Sequence, residues 1–298
     1  MIAALTTPED CFKNLLDYPF TANYLEVGDG LKMHYLDEGN ATGSIVLLLH
    51  GEPSWSYLYR KMIPIFTEAG FRVIAPDLIG FGKSDKPIQQ SDYSYQRHID
   101  WVSALLQQLD LQAINLFCQD WGGLIGLRIA MEQQDRFARI VISNSALPTG
   151  NPPMPKAFID WQTYSKQVPV LPIGKLINKA TVSDLSPAVL AAYEAPFPDE
   201  SYQAGAKVFP SLVPTQLTDP EAINNQKAWA ALQQWQKPLL TLFGDQDPIT
   251  KGAEQFFQKI VPGAQGQAHQ IIAGAGHFSQ EDQGEQLAQF TIDFIRKK

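Results

Sequence analysis

The first half of the chain alternates between apolar stretches and segments with helical periodicity. The stretches SIVLLLH (44–50), AINLFCQ (113–119) and RIVISN (139–144) are largely apolar runs. Such runs are typical of strands in a parallel sheet, which helices cover on both faces. Two earlier stretches, NYLEVGDG and LKMHYLDEG, partly alternate between apolar and polar positions. That period of two predicts half-buried edge strands.

Helical patterns lie between these apolar runs. Helices are expected over residues 56–69, over about 94–109, and from the turn at Asp120 to about residue 133. The strand RVIAPD (72–77) separates the first two of these helices. Such alternating strands and helices predict a doubly wound α/β fold with a mostly parallel sheet.

The alternation stops after residue 146 and resumes at residue 237. In between, prolines are frequent and helical fragments are short, as in FIDWQTYSKQ, PAVLAAYEA and INNQKAWAALQQW. The strands PLLTLFGDQD and AHQIIAG follow, with a helix between them and a terminal helix from Gly284. We therefore predict a core of residues 1–146 and 237–298 and an inserted helical cap of residues 147–236. The cap is expected over the carboxyl edge of the sheet, where open α/β sheets bind ligands.

Composition narrows the class of protein and its partners. Of the 298 residues, 45% are hydrophobic and 18% are charged, which is typical of a compact globular protein. The formal net charge of −8 offers no overall attraction to nucleic acids or anionic membranes, so neither is an expected partner. No stretch approaches the roughly 18 apolar residues of a membrane span. The first residues lack a signal-peptide pattern, and Cys11 and Cys118 do not suggest a disulfide framework, so the expected location is the cytoplasm.

A turn with the sequence CQDWGG follows the strand expected at 113–119 and precedes a helix. In many hydrolases the nucleophile stands on such a strand–turn–helix elbow, with small residues behind it. Here the exposed position holds Asp120, where backbone N–H groups at the start of the helix stabilise a negative charge. The alternative is that Asp120 only caps the helix, as aspartates often do.

Two further candidate residues follow strands near the end of the chain. Asp247 lies in FGDQDP, and His277 lies on a glycine-flanked loop in AGAGHF. Nucleophile, acid and histidine then occur in the chain order of the α/β hydrolases. The loop after residues 44–50 commonly supplies one oxyanion-hole N–H and the residue after the nucleophile supplies the other, which predicts the amides of Glu52 and Trp121.

Other titratable residues near these positions are given structural roles. Asp245 shares the loop of Asp247 and is interpreted as a turn former. His50 and Asp77 are interpreted as residues that shape their loops. Exposed or hydrogen-bonded structural roles are expected for the remaining histidines, which are His34, His98 and His269.

Together, the segments HGEPSWSYLYRKM, PDLIGFGKSDKP, QDWGG, GDQDP and GAGHF resemble the haloalkane dehalogenases of the α/β-hydrolase fold. The resemblance covers nearly the whole chain. It points to the subgroup with Glu in the oxyanion loop and the catalytic acid after the later strand. It implies that Asp120 is the nucleophile, His277 the base and Asp247 the acid that orients the base.

The resemblance also implies a halide site in an apolar pocket. The indole N–H groups of Trp121 and of Trp161, on the cap, would hold the halide, and Phe158 would line the pocket. An indole N–H donates a hydrogen bond without offering a competing acceptor or nucleophile. The alternative for either tryptophan is core packing. Structural roles are expected for the other tryptophans, which are Trp55, Trp101, Trp229 and Trp235.

The implied reaction is hydrolysis of a haloalkane to a primary alcohol, a halide ion and a proton. A carboxylate that displaces the halide leaves an ester that water can hydrolyse, whereas a serine would leave an unreactive ether. The expected partners are a small halogenated alkane, water and halide. Neither a metal-ligand cluster nor a phosphate-binding glycine loop is present in the sequence, so no cofactor or metal is expected.

Three other functions share parts of this pattern. An epoxide hydrolase uses the same Asp-His-Asp triad but needs cap tyrosines, for which Tyr164, Tyr193 and Tyr202 are candidates. A fluoroacetate dehalogenase is expected to carry an arginine where this chain has Trp121. A non-catalytic ligand receptor can keep a whole triad, and turnover of a simple haloalkane distinguishes it from an enzyme.

Overall fold

A computed structural model describes residues 1–297, and these residues contain ten strands. The strands are β1 (Ala4–Leu5), β2 (Asn23–Glu26), β3 (Lys32–Gly39), β4 (Ile45–Leu49), β5 (Arg72–Pro76), β6 (Lys86–Pro87), β7 (Ile114–Gln119), β8 (Phe137–Ser143), β9 (Leu239–Gly244) and β10 (Gln270–Ile272). Eight of them form one sheet in the order β10-β9-β8-β7-β4-β5-β3-β2, and β1 pairs with β6. The sheet is parallel from β10 to β5 and antiparallel at β3 and β2.

Helices of the described residues cover this sheet and fill the segment between β8 and β9. They are α1 (Ile63–Glu68), α2 (Tyr95–Gln108), α3 (Trp121–Glu132), α4 (Lys156–Gln167), α5 (Ile173–Lys179), α6 (Pro187–Glu194), α7 (Ala204–Leu212), α8 (Pro220–Leu232), α9 (Ala253–Ile260) and α10 (Ser279–Arg296). Short 3-10 turns lie at Glu9–Phe12, Ser56–Tyr59, Gln90–Asp92, Gln134–Arg136, Glu200–Gln203 and Pro262–Ala264. None of these helices is long and apolar enough to cross a membrane, as far as residues 1–297 show.

The continuous apolar runs face two separate hydrophobic clusters. In β4, Leu47 and Leu49 point to one cluster, whereas Val46 and Leu48 point to the other. Successive side chains of a strand face opposite sides of the sheet, so a strand with helices on both sides must be apolar at every position. Helices α2 and α3 pack on the first face, and α1 and α10 pack on the second. The expected fold class, an α/β-hydrolase fold with a mostly parallel sheet, is confirmed.

Several local expectations need correction. Strand β3 is not an edge strand, because it pairs with both β2 and β5 and residues 33–35 are buried in the core. The helix expected over residues 56–69 is a 3-10 turn followed by α1, and Pro64 in the first turn of α1 has no N–H with which to continue a helix from the preceding residues. The expected terminal helix from Gly284 is present, and an additional helical turn over residues 279–282 precedes it, separated by a break in helical geometry at Gln283 (φ −138°, ψ 36°).

Five helices, α4 to α8, lie between β8 and β9. Three of them match the fragments expected from the sequence, and α5 and α7 were not expected. The sequence of α7 contains Pro210, which lowers helix propensity, and α5 has seven residues, too few for a clear helical period. Tertiary packing stabilises both helices, since Ile173, Ile177 and Phe209 are buried in the core.

Candidate active site

Asp120 lies on a tight turn at the carboxyl end of β7. Its backbone has φ 49° and ψ −125°, an uncommon conformation for a residue with a side chain, and its carboxylate does not cap α3. Gly122 allows this turn, because a Cβ there would collide with the backbone oxygen of Leu49. The capping alternative is therefore wrong, and the turn directs the carboxylate away from the helix that follows.

The Asp120 carboxylate lies between a backbone amide and an imidazole. The Glu52 N–H donates to its Oδ1 at 2.8 Å, and His277 Nε2 lies 3.4 Å from its Oδ2. Gly51 has no side chain at the point where a Cβ would meet the Asp120 carboxyl group. The loop after β4 therefore approaches the carboxylate closely enough for a backbone amide to bind it.

The other nitrogen of the same imidazole binds Asp247. His277 Nδ1 lies 3.0 Å from Asp247 Oδ2, and both side chains are buried. Asp247 is held in turn by the Ile249 N–H at 2.8 Å and by the Thr250 hydroxyl. Asp120, His277 and Asp247 are thus brought together from three separate loops at the carboxyl edge of the sheet.

Charge in this triad favours a protonated imidazole when Asp120 is ionised. Burial disfavours the imidazolium, but the carboxylates of Asp247 and Asp120 outweigh this effect and raise the pKa of His277 to about 10. Burial likewise disfavours ionised Asp247, and the hydrogen bonds and the charge of His277 outweigh it and lower the pKa of that carboxyl. The resting site is an imidazolium between two carboxylates.

The histidine loop is also anchored by the helical segment between β8 and β9. The His277 N–H donates to the Ala180 carbonyl at 2.8 Å. The Asp282 carboxylate accepts the N–H of Gly276 at 2.8 Å and the N–H groups of Val182 and Ser183. The residues after α5 therefore hold the backbone on which His277 stands.

The competing carboxylates and histidines have structural contacts. Asp245 Oδ1 accepts the Ala275 N–H at 3.2 Å and so joins the two loops. Asp77 accepts the N–H groups of Ser56 and Lys83 and contacts His34 at 2.8 Å. His50 accepts the Leu78 N–H at 2.9 Å.

His98 differs from its expected role. It is fully buried, and neither ring nitrogen has a hydrogen-bond partner within residues 1–297. The rings of Trp101 and Phe209 lie 5.0 and 4.4 Å away, centroid to centroid, so aromatic packing determines its position. Burial lowers the pKa of His98 to about 3, which keeps the ring neutral.

The triad opens into a large, mainly apolar cavity of about 1420 Å³. Trp121 is buried at its base, where the rings of Tyr95 and Phe209 lie 5.1 and 4.7 Å from it, centroid to centroid. Trp161 and Phe158, both on α4, line the same cavity. The structure therefore places all seven residues expected at the site around one space, which is lined by Glu52, Asp120, Trp121, Phe158, Trp161 and His277 and backed by Asp247.

Three of the tryptophans that were given structural roles use their indole N–H groups in hydrogen bonds within the protein. Those of Trp55, Trp101 and Trp229 donate to Ala192 O, to the Asp29 carboxylate and to Leu147 O. Trp229 nevertheless lines the cavity, so its role is not confined to the core.

The sequence predicts a role for the backbone amide of Glu52 but none for its side chain. Burial and the charge of Asp120 raise the pKa of the Glu52 carboxyl well above its ordinary value. Glu52 lines the same cavity as Trp161. Together with the backbone amide that binds Asp120, this gives the loop after β4 two kinds of contact with the site.

Sequence reasoning missed several residues that hold the triad. Thr250 binds the acid, Asp282 binds the histidine loop, and Asn144 was also given no role. The side chains of Asn144 and Asp282 bind backbone groups, most of them distant in sequence, so no local motif identifies these two residues. Thr250 lies only three residues after Asp247, and this spacing is the one local signal that could have identified it. No cluster of His, Cys, Asp and Glu side chains suited to a metal ion occurs in the part of the chain that the structure describes.

Comparisons with known proteins are consistent with this geometry. A family model described as the α/β hydrolase fold matches residues 44–283. The chain is 56% identical to a haloalkane dehalogenase of Psychrobacter cryohalolentis, over 98% of this chain and 97% of that one. It is 54% identical to a haloalkane dehalogenase of Mycolicibacterium paratuberculosis, over 96% of each. The solved structure of the tetrameric haloalkane dehalogenase DpaA from Paraglaciecola agarilytica superposes with a TM-score of 0.91, at 38% identity and 97% coverage of both chains.

The raised pKa of His277 predicts a pH dependence of stability. Because the folded-state pKa of about 10 exceeds the unfolded value of 6.5, the stabilisation is complete below pH 6.5 and is lost as the pH rises through 10. The difference in midpoint of thermal unfolding between wild type and His277→Phe should therefore shrink between pH 7 and pH 10. Scanning calorimetry of both proteins measures this difference in midpoint. A difference that stays constant from pH 7 to pH 10 would contradict the ion pairing.

Proposed function

Because this chain belongs to the haloalkane dehalogenases of the α/β-hydrolase fold, we propose that Asp120, His277 and Asp247 carry out its two-step reaction. The enzyme hydrolyses a haloalkane to an alcohol, a halide ion and a proton. The observation that supports these roles is the single imidazole whose nitrogens lie 3.4 Å from Asp120 and 3.0 Å from Asp247.

In the first step, the Asp120 carboxylate attacks the carbon that bears the halogen. A C–O bond forms as the carbon–halogen bond breaks, and the halogen leaves with the bonding electrons as halide. The product is an ester of Asp120 with the alkyl group. A carboxylate is ionised at neutral pH, so this step requires no base.

In the second step, His277 takes a proton from water, and the resulting hydroxide attacks the ester carbonyl of Asp120. Formation of the ester removes the negative charge of Asp120, which is one of the two charges that raise the pKa of His277. The pKa of His277 must therefore fall on alkylation, so the imidazole becomes a base only when an ester is present. Asp247 orients the ring and stabilises its cation.

The tetrahedral intermediate of this second step carries a negative oxygen. We assign its stabilisation to the amides of Glu52 and Trp121, a kind of interaction worth roughly 3 kcal/mol per donor. The Glu52 N–H already donates to Asp120 Oδ1 at 2.8 Å, the oxygen on which this charge would develop. Collapse of the intermediate restores the Asp120 carboxylate and releases the alcohol, which takes the proton of the attacking hydroxide. His277 keeps its proton as the resting imidazolium, and it releases that proton to solvent when the next alkylation removes the charge of Asp120 and lowers the pKa of the ring.

The halide is assigned to the indole N–H groups of Trp121 and Trp161. An anion enters an apolar cavity only where donors replace its lost water, because an uncompensated buried charge is costly. Trp121 follows the nucleophile directly, and Trp161 lies across the same cavity on α4. Phe158, one turn before Trp161, is assigned to the apolar wall around the substrate chain.

We further propose that residues 147–236 act as a cap on a core of residues 1–146 and 237–298. Helix α4, which carries Phe158 and Trp161, supports this division, since both side chains face the cavity that contains Asp120. The cap would then supply substrate and halide contacts, and the core would supply the covalent chemistry. A cytoplasmic location is part of the same proposal and is supported by the two free cysteines.

The tyrosines do not form the pair that an epoxide hydrolase requires. Tyr164 lines the cavity, whereas Tyr193 donates to the Glu281 carboxylate and is fully buried. Tyr202 is not among the residues that line the cavity. The dehalogenase reaction is therefore favoured over this alternative.

Replacing His277 should separate the two steps. His277→Phe removes the base, so alkylation proceeds and hydrolysis stops. After treatment with 1,2-dibromoethane, intact-protein mass spectrometry should detect one alkyl adduct per chain, located in the peptide that contains Asp120. A His277→Phe enzyme that turns over, or an adduct on another peptide, would refute these assignments.

The two aspartates of the acid loop should differ in effect. Asp247→Asn removes the charge that stabilises the imidazolium, so ester hydrolysis should slow by several orders of magnitude, about 10⁴-fold in the analogous serine-hydrolase change. Asp245→Asn, the matched control, keeps an acceptor for the Ala275 N–H and should be mild. Single-turnover rates of hydrolysis measure both, and a larger loss in Asp245→Asn would reverse the assignment.

Removing one indole donor should weaken the halide site. Trp161→Phe keeps apolar bulk but loses a hydrogen bond to an anion, which costs roughly 1.5–3 kcal/mol, or about tenfold or more in halide affinity. The alkylation rate should fall as well, because charge develops on the same atom. Bromide titration of tryptophan fluorescence and single-turnover alkylation measure these effects.

Trp229→Phe is the matched control for this experiment. Trp229 also lines the cavity, but its indole N–H is bound to the Leu147 carbonyl at 2.8 Å. Its replacement should leave bromide affinity near that of the wild type. If Trp161→Phe and Trp229→Phe are indistinguishable in affinity and rate, the second donor is not Trp161.

A further inference from the structure

Asn144, at the carboxyl end of β8, is hydrogen-bonded to all three segments that carry the triad. Its Nδ2 donates to the carbonyls of Gly276 and His277 at 2.7 and 2.9 Å. Its Oδ1 accepts the N–H of Gly244 at 2.7 Å, three residues before Asp247. Its backbone carbonyl accepts the Asp120 N–H at 3.0 Å. The residue is fully buried.

These contacts require an amide of this length. Two carbonyl oxygens need donors, and one N–H needs an acceptor, which an asparagine side chain supplies at once. An aspartate would place a carboxylate against both carbonyls. An alanine would remove all three hydrogen bonds, and only the His277 carbonyl would keep another side-chain donor, Gln119 Nε2. The backbone φ of 39° lies in the left-handed region, which asparagine adopts more readily than most residues.

The position of β8 explains why one residue reaches all three segments. In the sheet, β8 lies between β7, which leads into Asp120, and β9, which leads into Asp247. The histidine loop follows β10 and returns across these strand ends, where Gln119 Nε2 also donates to the His277 carbonyl at 3.1 Å. Asn144 therefore lies between the three backbone segments that carry Asp120, Asp247 and His277.

We propose that Asn144 is a positioning residue that sets His277 and Asp247 for the hydrolysis of the ester. The proposal rests on the roles assigned above to Asp120 and His277. The side-chain amide of Asn144 binds the acid and histidine segments, whereas the Asp120 N–H binds its backbone carbonyl. Loss of the side chain therefore disturbs the second step, which needs His277, more than the first step, which needs only the Asp120 carboxylate.

Asn144→Ala and Asn144→Gly test this prediction together. Both remove the amide, and glycine also relieves any cost of the positive φ. Asn115→Ala is the matched control, because Asn115 is a buried asparagine of β7 whose Nδ2 donates to Ser44 Oγ and to the Ile45 carbonyl, outside the triad contacts.

The rates of alkylation and ester hydrolysis are measured by rapid-quench single turnover with 1,2-dibromoethane. The amplitude of the halide burst counts competent sites, so the ratio of the two rates does not depend on how much protein has unfolded. A displacement of the base of about 1 Å can cost roughly a hundredfold in rate. We expect the ratio of hydrolysis to alkylation to fall by about tenfold or more in both Asn144 variants and to stay unchanged in Asn115→Ala.

The outcomes separate this proposal from the assignments on which it rests. A wild-type ratio in both Asn144 variants, or an equal fall in Asn115→Ala, overturns the positioning role while the Asp120 adduct of His277→Phe still stands. Absence of that adduct overturns the assigned roles themselves. If Asn144→Ala gives no burst because it does not fold, Asn144→Gly decides the question, and thermal unfolding of Asn115→Ala shows what the loss of a buried amide alone costs.

Discussion

The catalytic centre depends on one buried imidazole held between two carboxylates. His277 contacts Asp247 through Nδ1 and Asp120 through Nε2; the side chains of His277 and Asp247 are buried, and that of Asp120 is partly exposed to the cavity. In such surroundings each charge is stable only because its neighbour carries the opposite sign. In the proposed reaction the same dependence sets the order of the two steps, since esterification of Asp120 would remove one carboxylate and so lower the pKa of the imidazole.

The cavity places a second requirement on the site. Its walls are mainly apolar, which suits an alkyl chain, yet the first step creates a halide ion inside it. Indole donors meet both conditions, because they add apolar area and a single N–H that does not attack the substrate. Trp121 is held by the rings of Tyr95 and Phe209, so its direction is determined before substrate arrives.

Backbone contacts connect these chemical groups to the fold. The His277 loop is bound by Ala180 and Asp282 on one side and by Asn144 on the other. The Asp247 loop is joined to it through Asp245. Precision in the triad therefore comes from hydrogen bonds between loop backbones and a few polar side chains, in addition to the contact between His277 and Asp247.

The sequence alone predicted the main strands of the core and the residues that are proposed to react. Continuous apolar runs predict buried parallel strands because both faces of the sheet need apolar cover, and a strand–turn–helix with CQDWGG predicts Asp120 because the backbone there tolerates few other arrangements. These signals are local, and residues close in sequence carry them. The order of Asp120, Asp247 and His277 then identified the triad, and the resemblance to known dehalogenases supplied Trp161.

Only the tertiary structure decided how these residues are held. Helices α5 and α7 form where tertiary packing outweighs a weak helix propensity. Strand β3 lies inside the sheet because β2 pairs with its outer edge. His98 is buried among aromatic rings without a hydrogen-bond partner in residues 1–297. The partners of the Asn144 side chain, and the Val182 and Ser183 partners of Asp282, lie about a hundred residues or more away in the chain. Hydrogen bonds between such distant groups depend on the geometry of strand ends in space, and no periodicity along the sequence records that geometry.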